Sequence, residues 1–115
     1  MLNPMDAIEI VNRLLARTKE RKIVWEPYET NVEFYARTEH WDFYIKARDE
    51  DDAPPYIIEF WRRSPGGGRG NVKVANVSTI QMGPGGSSLE ELYTLAKAQG
   101  LGIDSMKDDI LKDLG

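Results

Sequence analysis

Apolar residues recur every three or four positions at the start of the chain. Asn3, Pro4 and Asp6 form a typical helix start, because asparagine caps well, proline is tolerated in the first turn and aspartate favours the positive end of the helix dipole. The apolar positions that follow are Ala7, Ile8, Val11, Leu14 and Leu15. The pattern predicts an amphipathic helix from Pro4 to about Glu20 with one buried face.

The period changes to two from Lys22 onward, which is typical of strands with one buried side. Five short runs follow this rule: 23–25, 32–37, 41–48, 56–63 and 72–77. The positions predicted to face inward are Val32, Phe34, Ala36, Trp41, Phe43, Ile45, Ala47, Tyr56, Ile58 and Phe60. Pro27 indicates that the first run ends there or lies at a sheet edge, because proline cannot donate a ladder hydrogen bond. The short connections favour an antiparallel meander.

Helical spacing returns near the C-terminus. Residues 88–91 match a capping box, and residues 89–96 carry a broad apolar face. Gly100 is placed to end this helix, because a C-terminal cap often needs a positive φ. Asp104 is placed to cap a last short helix, and residues 81–87 are predicted to be a linker. The apolar residues of the last helix are Met106, Ile110, Leu111 and Leu114.

This order of elements predicts an α+β fold in two layers. We expect an antiparallel sheet of about five strands, covered on one face by an N-terminal helix and two C-terminal helices, because these amphipathic helices are the only segments able to cover its apolar face. The 115 residues fall in the usual range of one domain, and no internal repeat divides them. We therefore predict a single α+β domain over residues 1–115.

Composition narrows the possible chemistry. The chain has no cysteine, which excludes disulfides, thiolate metal sites and a cysteine nucleophile, and one histidine disfavours a zinc site. The net charge of −4 argues against bulk electrostatic binding to DNA or to an anionic membrane. No apolar run approaches the length of a membrane span, and the first residues lack the pattern of a signal peptide. We expect a soluble, cytoplasmic protein without a metal or cofactor.

The segments that could carry chemistry have simpler interpretations. The glycine-rich segment 64–70 lacks the Lys-Ser/Thr pair and the following helix of a P-loop, which favours a flexible hairpin loop over an anion-contacting one. The acidic run 49–52 lacks the spacing of a calcium loop and is predicted to be solvated. His40 lies in a predicted turn without an orienting partner or a pocket. Asp42 and Glu59 could lie on neighbouring strands, where salt bridges are favoured over acid–base catalysis. We predict no catalytic residue.

The alternate positions of the predicted strands form an outward face rich in aromatic and basic residues. This face is predicted to carry Glu33, Tyr35, Arg37, Asp42, Tyr44, Lys46, Arg48, Ile57, Glu59, Trp61, Arg63 and Lys73. Three large aromatic side chains on an uncovered face are more than a monomer usually exposes, and Tyr, Trp and Arg are enriched in binding hot spots. The candidate binding residues are Tyr35, Arg37, Tyr44, Arg48, Trp61 and Arg63.

Three interpretations of this face are open at the level of sequence. Cross-strand aromatic pairs and arginine–ring contacts can stabilise a sheet without any partner. A protein partner, including a second copy of the chain, could bind there, and the same residue types also describe a platform for single-stranded nucleic acid. Our leading hypothesis is a non-enzymatic protein-interaction module with a regulatory, immunity or self-association role. The alternative is a single-stranded nucleic-acid-binding module, and an enzyme ranks third.

The layout also resembles that of a group of small prokaryotic and phage α+β proteins. The shared features are a Trp-Glu strand start, a closing Leu-Tyr-x-x-Ala helix and a short helix after it. The residues that carry the resemblance are Trp25-Glu26, Leu92-Tyr93-Thr94-Leu95-Ala96 and Leu101-Gly102-Ile103-Asp104. The resemblance implies a bacterial or phage origin and the same order of elements, and it implies no activity. The glycine-rich segment departs from the pattern of the group.

Overall fold

A computed structural model describes residues 2–64 and 71–115 of the chain. Its five strands form one antiparallel meander in which each strand pairs with the next along the chain. The strands are β1 (Glu26–Tyr28), β2 (Thr30–Arg37), β3 (Trp41–Ala47), β4 (Tyr56–Arg62) and β5 (Val72–Ser78). The predicted antiparallel sheet is therefore confirmed.

One helix precedes the sheet and three follow it. They are α1 (Pro4–Lys19), α2 (Thr79–Met82), α3 (Gly86–Gly100) and α4 (Met106–Leu114), with 3₁₀ turns at Gly83–Gly85 and Ile103–Ser105. The predicted α+β class, with an N-terminal helix and two C-terminal helices around a five-stranded sheet, is confirmed. The single-turn helix α2 was not predicted.

The first helix begins as its sequence indicates. The side chain of Asn3 accepts a hydrogen bond of 2.9 Å from the backbone N–H of Asp6, and Pro4 occupies the first turn. The buried residues of α1 are Ala7, Val11, Leu14 and Thr18. Ala7, Val11 and Leu14 belong to the predicted apolar stripe. Thr18, a polar residue outside that stripe, is also fully buried.

The hydrophobic core lies between the sheet and the helices. Helix α3 crosses the apolar side of β1 to β4, and α1 packs against α3. The side chains that fill this space include Phe34, Ile45, Ile58, Leu89 and Leu92, all fully buried. The cover is supplied by α1, α2 and α3, since none of the nine residues of α4, all within the described part of the chain, is buried.

The segment before the sheet differs from the prediction. Residues 23–25 were predicted to be a strand, but β1 begins only at Glu26. The backbone N–H of Trp25 instead donates to the side-chain oxygen of Gln99 at 3.0 Å, and its indole donates to Oγ1 of Thr18 at 3.0 Å. The bond to Gln99 uses the backbone N–H that a sheet ladder would need, and the bond to Thr18 holds the side chain against α1. Pro27 does lie in an edge strand, as predicted.

The predicted start of the C-terminal helix is also wrong. Helix α3 begins at Gly86, and no capping box forms at Ser88. The Ser88 hydroxyl instead contacts α1 and donates a hydrogen bond of 2.6 Å to Oδ1 of Asn12. Most of the predicted linker 81–87 is helical, because α2 and a 3₁₀ turn run directly into α3.

A capping box is present one helix earlier. The hydroxyl of Ser78 accepts from the backbone N–H of Gln81, and the side chain of Gln81 accepts from the backbone N–H of Ser78. The sequence pattern Ser-x-x-Gln at residues 78–81 is therefore a helix-start signal, whereas residue 81 was predicted to begin a linker.

The end of α3 is set by packing as well as by a left-handed residue. Gly100 ends the helix, as predicted, but its φ is not positive; a Cβ there would lie 2.6 Å from Cδ1 of Phe34. The residue with positive φ is Gly102, at +70°. Asp104 makes no cap, and its carboxylate pairs with Arg21 at 3.1 Å.

Two loops had specific predictions. The acidic run 49–52 is not wholly solvated, because Asp52 accepts a hydrogen bond of 2.7 Å from the Tyr93 hydroxyl and pairs with Lys97. Residues 65–70 of the glycine-rich segment lie outside the described residues, so the predicted flexible loop stays a prediction.

Candidate functional site

The side of the sheet that points away from the helices is the candidate site. Strand register places Tyr35 opposite Tyr44, and Trp61 opposite Asp42 on the neighbouring strand. No helix in the described part of the chain lies on this side. We call it the aromatic face, after four rings that lie on it: Tyr28, Tyr35, Tyr44 and Trp61.

The four rings form one contiguous cluster. The Tyr28 ring lies edge-on to Tyr44 at 5.0 Å and to Tyr35 at 5.7 Å between ring centroids. Tyr35 and Tyr44 stack at 6.0 Å with an interplanar angle of 26°, and Trp61 meets Tyr44 edge-on at 6.0 Å. These are the offset and edge-to-face geometries that aromatic pairs prefer. The cluster spans strands β1 to β4.

Tyr28 is a member that the sequence analysis missed. It lies in edge strand β1 and is 36% exposed. The predicted strand ended before Pro27, which left Tyr28 outside the period-two pattern. A signal that could have found it is Pro27 itself, because an edge strand tolerates proline and can continue past it, as the pairing of Tyr28 with Thr30 shows.

Two tyrosine hydroxyls of the cluster, those of Tyr35 and Tyr44, have a pKa above the ordinary value. Tyr35 donates a hydrogen bond of 2.8 Å to the Glu26 carboxylate, and this bond raises the pKa of the Tyr35 hydroxyl. Burial raises the pKa of Tyr44. Tyr35 and Tyr44 therefore present uncharged phenols at neutral pH, which can both contact apolar groups and form hydrogen bonds.

A buried carboxylate holds the arginines at one end of the face. Asp42 is fully buried, and its Oδ1 lies 3.2 Å from Nε of Arg37 and 3.7 Å from Nε of Arg63. Its Oδ2 accepts a hydrogen bond of 3.1 Å from Asn71. Arg63 also donates to the carbonyl of Thr38 at 3.0 Å. Both guanidinium groups are thus tethered, although part of each remains exposed.

A second carboxylate organises the middle of the face. Glu59 accepts hydrogen bonds of 3.0 Å from the Trp61 indole and 3.2 Å from Lys73, and lies 3.7 Å from the Lys46 ammonium. Burial alone would raise the pKa of Glu59, but the bonds from Trp61 and Lys73 outweigh it and leave the pKa below its usual range. Glu59 is therefore an anion that fixes the indole of Trp61.

The face is less basic than predicted. Its cationic side chains in the described residues are Arg37, Lys46, Arg63 and Lys73, and its carboxylates are Glu26, Glu33, Asp42 and Glu59. Arg48 and Arg63 each lie one residue after the end of their strands. Arg63 joins the face through its ion pair with Asp42, whereas the guanidinium of Arg48 pairs with neighbouring Asp49 at 3.2 Å. Of the six candidate binding residues, five meet on this face and Arg48 stands apart.

The surface of the face is shallow. A depression of about 210 Å³ lies among the rings and carboxylates, and its lining residues are Tyr28, Glu33, Tyr44, Glu59, Trp61 and Asn71. Pockets that enclose small-molecule ligands usually measure about 300–1,000 Å³. The face is thus shaped for contact with a broad surface.

The other residues considered for catalysis, His40, Asp42 and Glu59, do not form a catalytic arrangement in the described residues. The side chain of His40 is 75% exposed in its turn, and Asp42 and Glu59 are each occupied by cations, as the sequence analysis favoured. Across residues 2–64 and 71–115, no group of three or more His, Cys, Asp or Glu side chains is placed to hold a metal ion. In the same ranges, no helix has both the length and the apolar character needed to cross a membrane.

Comparison with known proteins adds no relative. No protein-family model, no curated protein and no solved structure matches this chain.

Proposed function

We propose that the chain is a non-enzymatic protein-interaction module and that the aromatic face is its interface. The observation that carries this proposal is the cluster of four adjoining rings on a sheet face that no described helix covers. Aromatic residues are enriched in interface hot spots because one side chain supplies a large contact area.

The cluster is suited to binding because it is already ordered. The Trp61 indole is held by Glu59, and the Tyr35 hydroxyl is held by Glu26. Each immobilised side chain otherwise costs about 0.5–1.5 kcal/mol when a complex forms. Side chains that are fixed before binding avoid much of this cost.

The charge pattern favours a protein partner over a nucleic acid. Arg37 and Arg63 pair with Asp42, while Lys46 and Lys73 pair with Glu59. Phosphate groups would have to compete with these carboxylates for the same cations. Nucleic-acid platforms instead carry an excess of basic residues along the path of the backbone.

The function that follows is recognition of a protein surface with apolar groups at its centre and polar groups around them. The paired charges would form the rim, and the rings would form the centre. A regulatory, immunity or self-association role uses such a surface without any catalytic step.

Affinity capture from a lysate of the source cells tests the proposal when variants are compared in parallel. The test variants are Trp61→Ala and Tyr35→Ala, and the control is Ile80→Ala, whose side chain is 67% exposed away from the aromatic face. A protein that wild type and the control retain, but that both test variants lose, supports the proposal. Retention by all four proteins contradicts it.

Nuclease treatment of half of each sample separates the two binding classes. A partner that survives nuclease supports the protein interface. A partner that disappears with nuclease supports the nucleic-acid alternative, and its binding should then weaken steeply as salt is added, because phosphate contacts release counterions.

A further inference from the structure

Strand register arranges the outward side chains of the aromatic face in three rows that cross β2, β3, β4 and β5 in that order. The Arg37 row consists of Arg37, Asp42, Trp61 and Lys73. The Tyr44 row consists of Tyr35, Tyr44, Glu59 and Asn76. The Glu33 row consists of Glu33, Lys46, Ile57 and Ser78. The Tyr44 row lies in the middle, with one outer row on each side.

The two outer rows carry complementary groups on the same strand. On β2, the cation Arg37 in one row corresponds to the carboxylate Glu33 in the other. On β3 the signs are exchanged, because Asp42 lies in the first of these rows and Lys46 in the second. On β4 both rows have a large apolar side chain. In each of these strands the two positions lie two residues to either side of the middle row.

The strand ends and loops beyond the outer rows show the same change of sign. Beside the Arg37 row, segments 37–42, 61–63 and 71–73 carry a net charge of +2, from Arg37, Arg62, Arg63, Lys73, Glu39 and Asp42. Beside the Glu33 row, segments 29–33 and 46–57 carry a net charge of −4, from Lys46, Arg48, Glu29, Glu33, Asp49, Glu50, Asp51 and Asp52. Lys97, which reaches Asp52 from α3, reduces this charge to −3. Charge therefore changes sign along the strands, from one end of the face to the other.

The opposite charges on β2 are both accessible to a partner. The side chain of Arg37 is 54% exposed although its Nε pairs with Asp42. Glu33 is half-buried and forms no ion pair within residues 2–64 and 71–115. Lys46 lies opposite Glu33 in the sheet, but its ammonium is 3.7 Å from Glu59 instead. Arg37 and Glu33 can thus form a further ion pair with a group outside the chain.

We propose that the partner of the aromatic face is a second copy of the chain, stacked face to face with its strands in the opposite direction. This inference rests on the proposed function, because it uses the same interface and names what binds there. The two-fold axis lies along the Tyr44 row, between the two sheets. A half-turn about this axis keeps each strand over its own counterpart and exchanges the outer rows.

The exchange brings unlike groups together on three strands. Arg37 faces Glu33 of the second copy, Asp42 faces Lys46, and Trp61 faces Ile57. Packed sheets keep their strand directions within about 30° of each other, so these positions stay close despite the twist of each sheet. Every contact occurs twice, which closes a dimer without leaving an unused face.

The middle row meets itself in this arrangement. Tyr44 faces Tyr44 of the second copy, so the rings form the centre of the contact. Glu59 also faces its own counterpart, but each Glu59 is neutralised by Lys46 and Lys73. The repulsion between the two carboxylates is therefore reduced.

The other way to stack the two faces is less favourable. A two-fold axis along the strands, between β3 and β4, would bring like ends of the face together. Arg37 would then face Lys73 of the second copy, and Tyr44 would face Glu59. Like charges opposite each other across an interface oppose association, so the charge pattern selects the axis along the Tyr44 row.

The size of the face indicates a weak dimer. Five strands at a spacing of about 4.8 Å and seven residues at about 3.4 Å give a flat area of about 450 Å² on each copy. A standard interface buries about 800 Å² on each partner. We therefore expect a reversible dimer whose fraction depends on protein concentration.

Sedimentation velocity over a wide range of protein concentration tests the proposal. Wild type is expected to form a dimer whose fraction rises with concentration. Glu33→Arg places a second cation opposite Arg37 of the other copy, so it should raise the dimer Kd by more than about tenfold. Glu90→Arg makes the same charge change at an exposed position on α3 and should leave the Kd unchanged.

A charge reversal provides a sharper test. Arg37→Glu should weaken the dimer for the same reason as Glu33→Arg. In an equimolar mixture of the two variants, each cation at positions 33 and 37 of one chain faces a carboxylate of the other. The mixture should therefore associate more strongly than either variant alone, and added salt should reduce this gain. The double variant Glu33→Arg with Arg37→Glu should likewise recover the dimer.

Circular dichroism checks that each variant is folded, because Arg37→Glu places a carboxylate near buried Asp42. Ile57→Asp disrupts the same contact without involving Asp42. It places a charge opposite Trp61 of the second copy and should also raise the Kd by more than about tenfold. The test therefore does not depend on the folding of one variant.

Several results would overturn the inference. A wild type that stays monomeric up to its solubility limit would contradict it. A dimer that is insensitive to Glu33→Arg and Ile57→Asp would show that another surface, or another orientation of this one, is used. Failure of the mixed variants to associate would contradict the opposed strand directions. A monomeric wild type that still captures a different protein through Trp61 would leave the proposed function standing, so the two proposals fail separately.

Discussion

The indole nitrogen of Trp61 donates a hydrogen bond of 3.0 Å to the carboxylate of Glu59, two positions earlier on the same strand. Residues two apart on a strand share a face, so this bond needs no contact from another element. Glu59 also holds Lys73 from strand β5. One carboxylate therefore orients an aromatic ring and neutralises a cation at the centre of the aromatic face.

Trp61→Ala is expected to leave the fold intact. The ring is partly exposed, so its loss should lower the free energy of unfolding by about 1–2 kcal/mol, less than the loss of a core side chain. Trp25→Ala is the matched comparison, because Trp25 is only 1% exposed and should cost about 3–5 kcal/mol. Urea unfolding followed by circular dichroism measures both. Equal losses would show that Trp61 is a core residue and would remove it from the proposed interface.

Glu59→Gln is expected to change how stability depends on pH. The pKa of Glu59 lies below its unfolded value of 4.5, so the ionised carboxylate contributes stability that is complete above about that pH. This contribution is lost as the pH falls through the lowered folded pKa. The variant keeps a side-chain oxygen for Trp61 but loses the charge. Its deficit relative to wild type should therefore be largest near neutral pH and shrink in acid.

Unfolding measured from neutral to acidic pH tests this expectation. Glu90→Gln, an exposed glutamate on α3, is the control and should run parallel to wild type. A Glu59→Gln deficit that stays constant with pH would show that packing, rather than charge, accounts for the role of Glu59.

Thr18→Val is expected to destabilise the protein because it leaves the buried indole N–H of Trp25 without a hydrogen-bond acceptor. The Thr18 hydroxyl donates to the carbonyl of Leu14 at 2.7 Å and accepts from the Trp25 indole at 3.0 Å. Valine has nearly the same shape but leaves the buried indole N–H without an acceptor, at a cost of about 1–3 kcal/mol. Thr94→Val is the control, because its hydroxyl makes the same helix bond to Glu90 at 3.1 Å in an exposed position. Thermal unfolding that ranks the two variants equally would contradict the role given to Thr18.

Gly100→Ala is expected to lower stability by about 1–3 kcal/mol, the range for overpacking a core. The added Cβ would lie 2.6 Å and 2.9 Å from two ring carbons of Phe34, which is fully buried and cannot easily move. Gly102→Ala provides a contrast, since among the described residues the added Cβ would meet Oγ of Ser105 at 3.8 Å, an ordinary contact, and its cost comes from a φ of +70°.

Substitution by asparagine distinguishes the steric clash at Gly100 from the backbone strain at Gly102. Asparagine tolerates a left-handed backbone, so Gly102→Asn should recover part of the loss seen with alanine. Gly100→Asn should be at least as damaging as Gly100→Ala, because the clash with Phe34 remains. Recovery at both positions in denaturant unfolding would refute the contact with Phe34 as the cause.

The candidate site could be predicted in part from the sequence. Strict alternation placed Tyr35, Tyr44 and Trp61 on one side of the sheet, because side chains point to opposite faces at every step of a strand. The same rule placed Arg37 with them but also Arg48, whose guanidinium pairs with Asp49 beyond the end of β3. Alternation assigns a side to a residue and does not show where pairing stops.

The charge of the face could not be predicted by counting residues. Strand alternation predicts more basic than acidic residues on the face, yet Glu26 joins it through the edge strand and Asp42 is fully buried between two arginines. Which cation meets which carboxylate depends on the register of neighbouring strands. That register is set by long-range contacts.

The sequence by itself determined the order and kind of most elements. Periods of two and of about 3.6 follow from the geometry of one strand or one helix, and the Asn3 cap needs only its own next turn. The tertiary structure decided what no local pattern contains. In the folded chain, the backbone N–H of Trp25 donates to the side chain of Gln99, and the Ser88 hydroxyl donates to Asn12 instead of capping a helix. The apolar stripe of α4 is not buried. The physical reason is that an amphipathic pattern shows that a face favours burial, whereas the surface that buries it is chosen by the packing of distant elements.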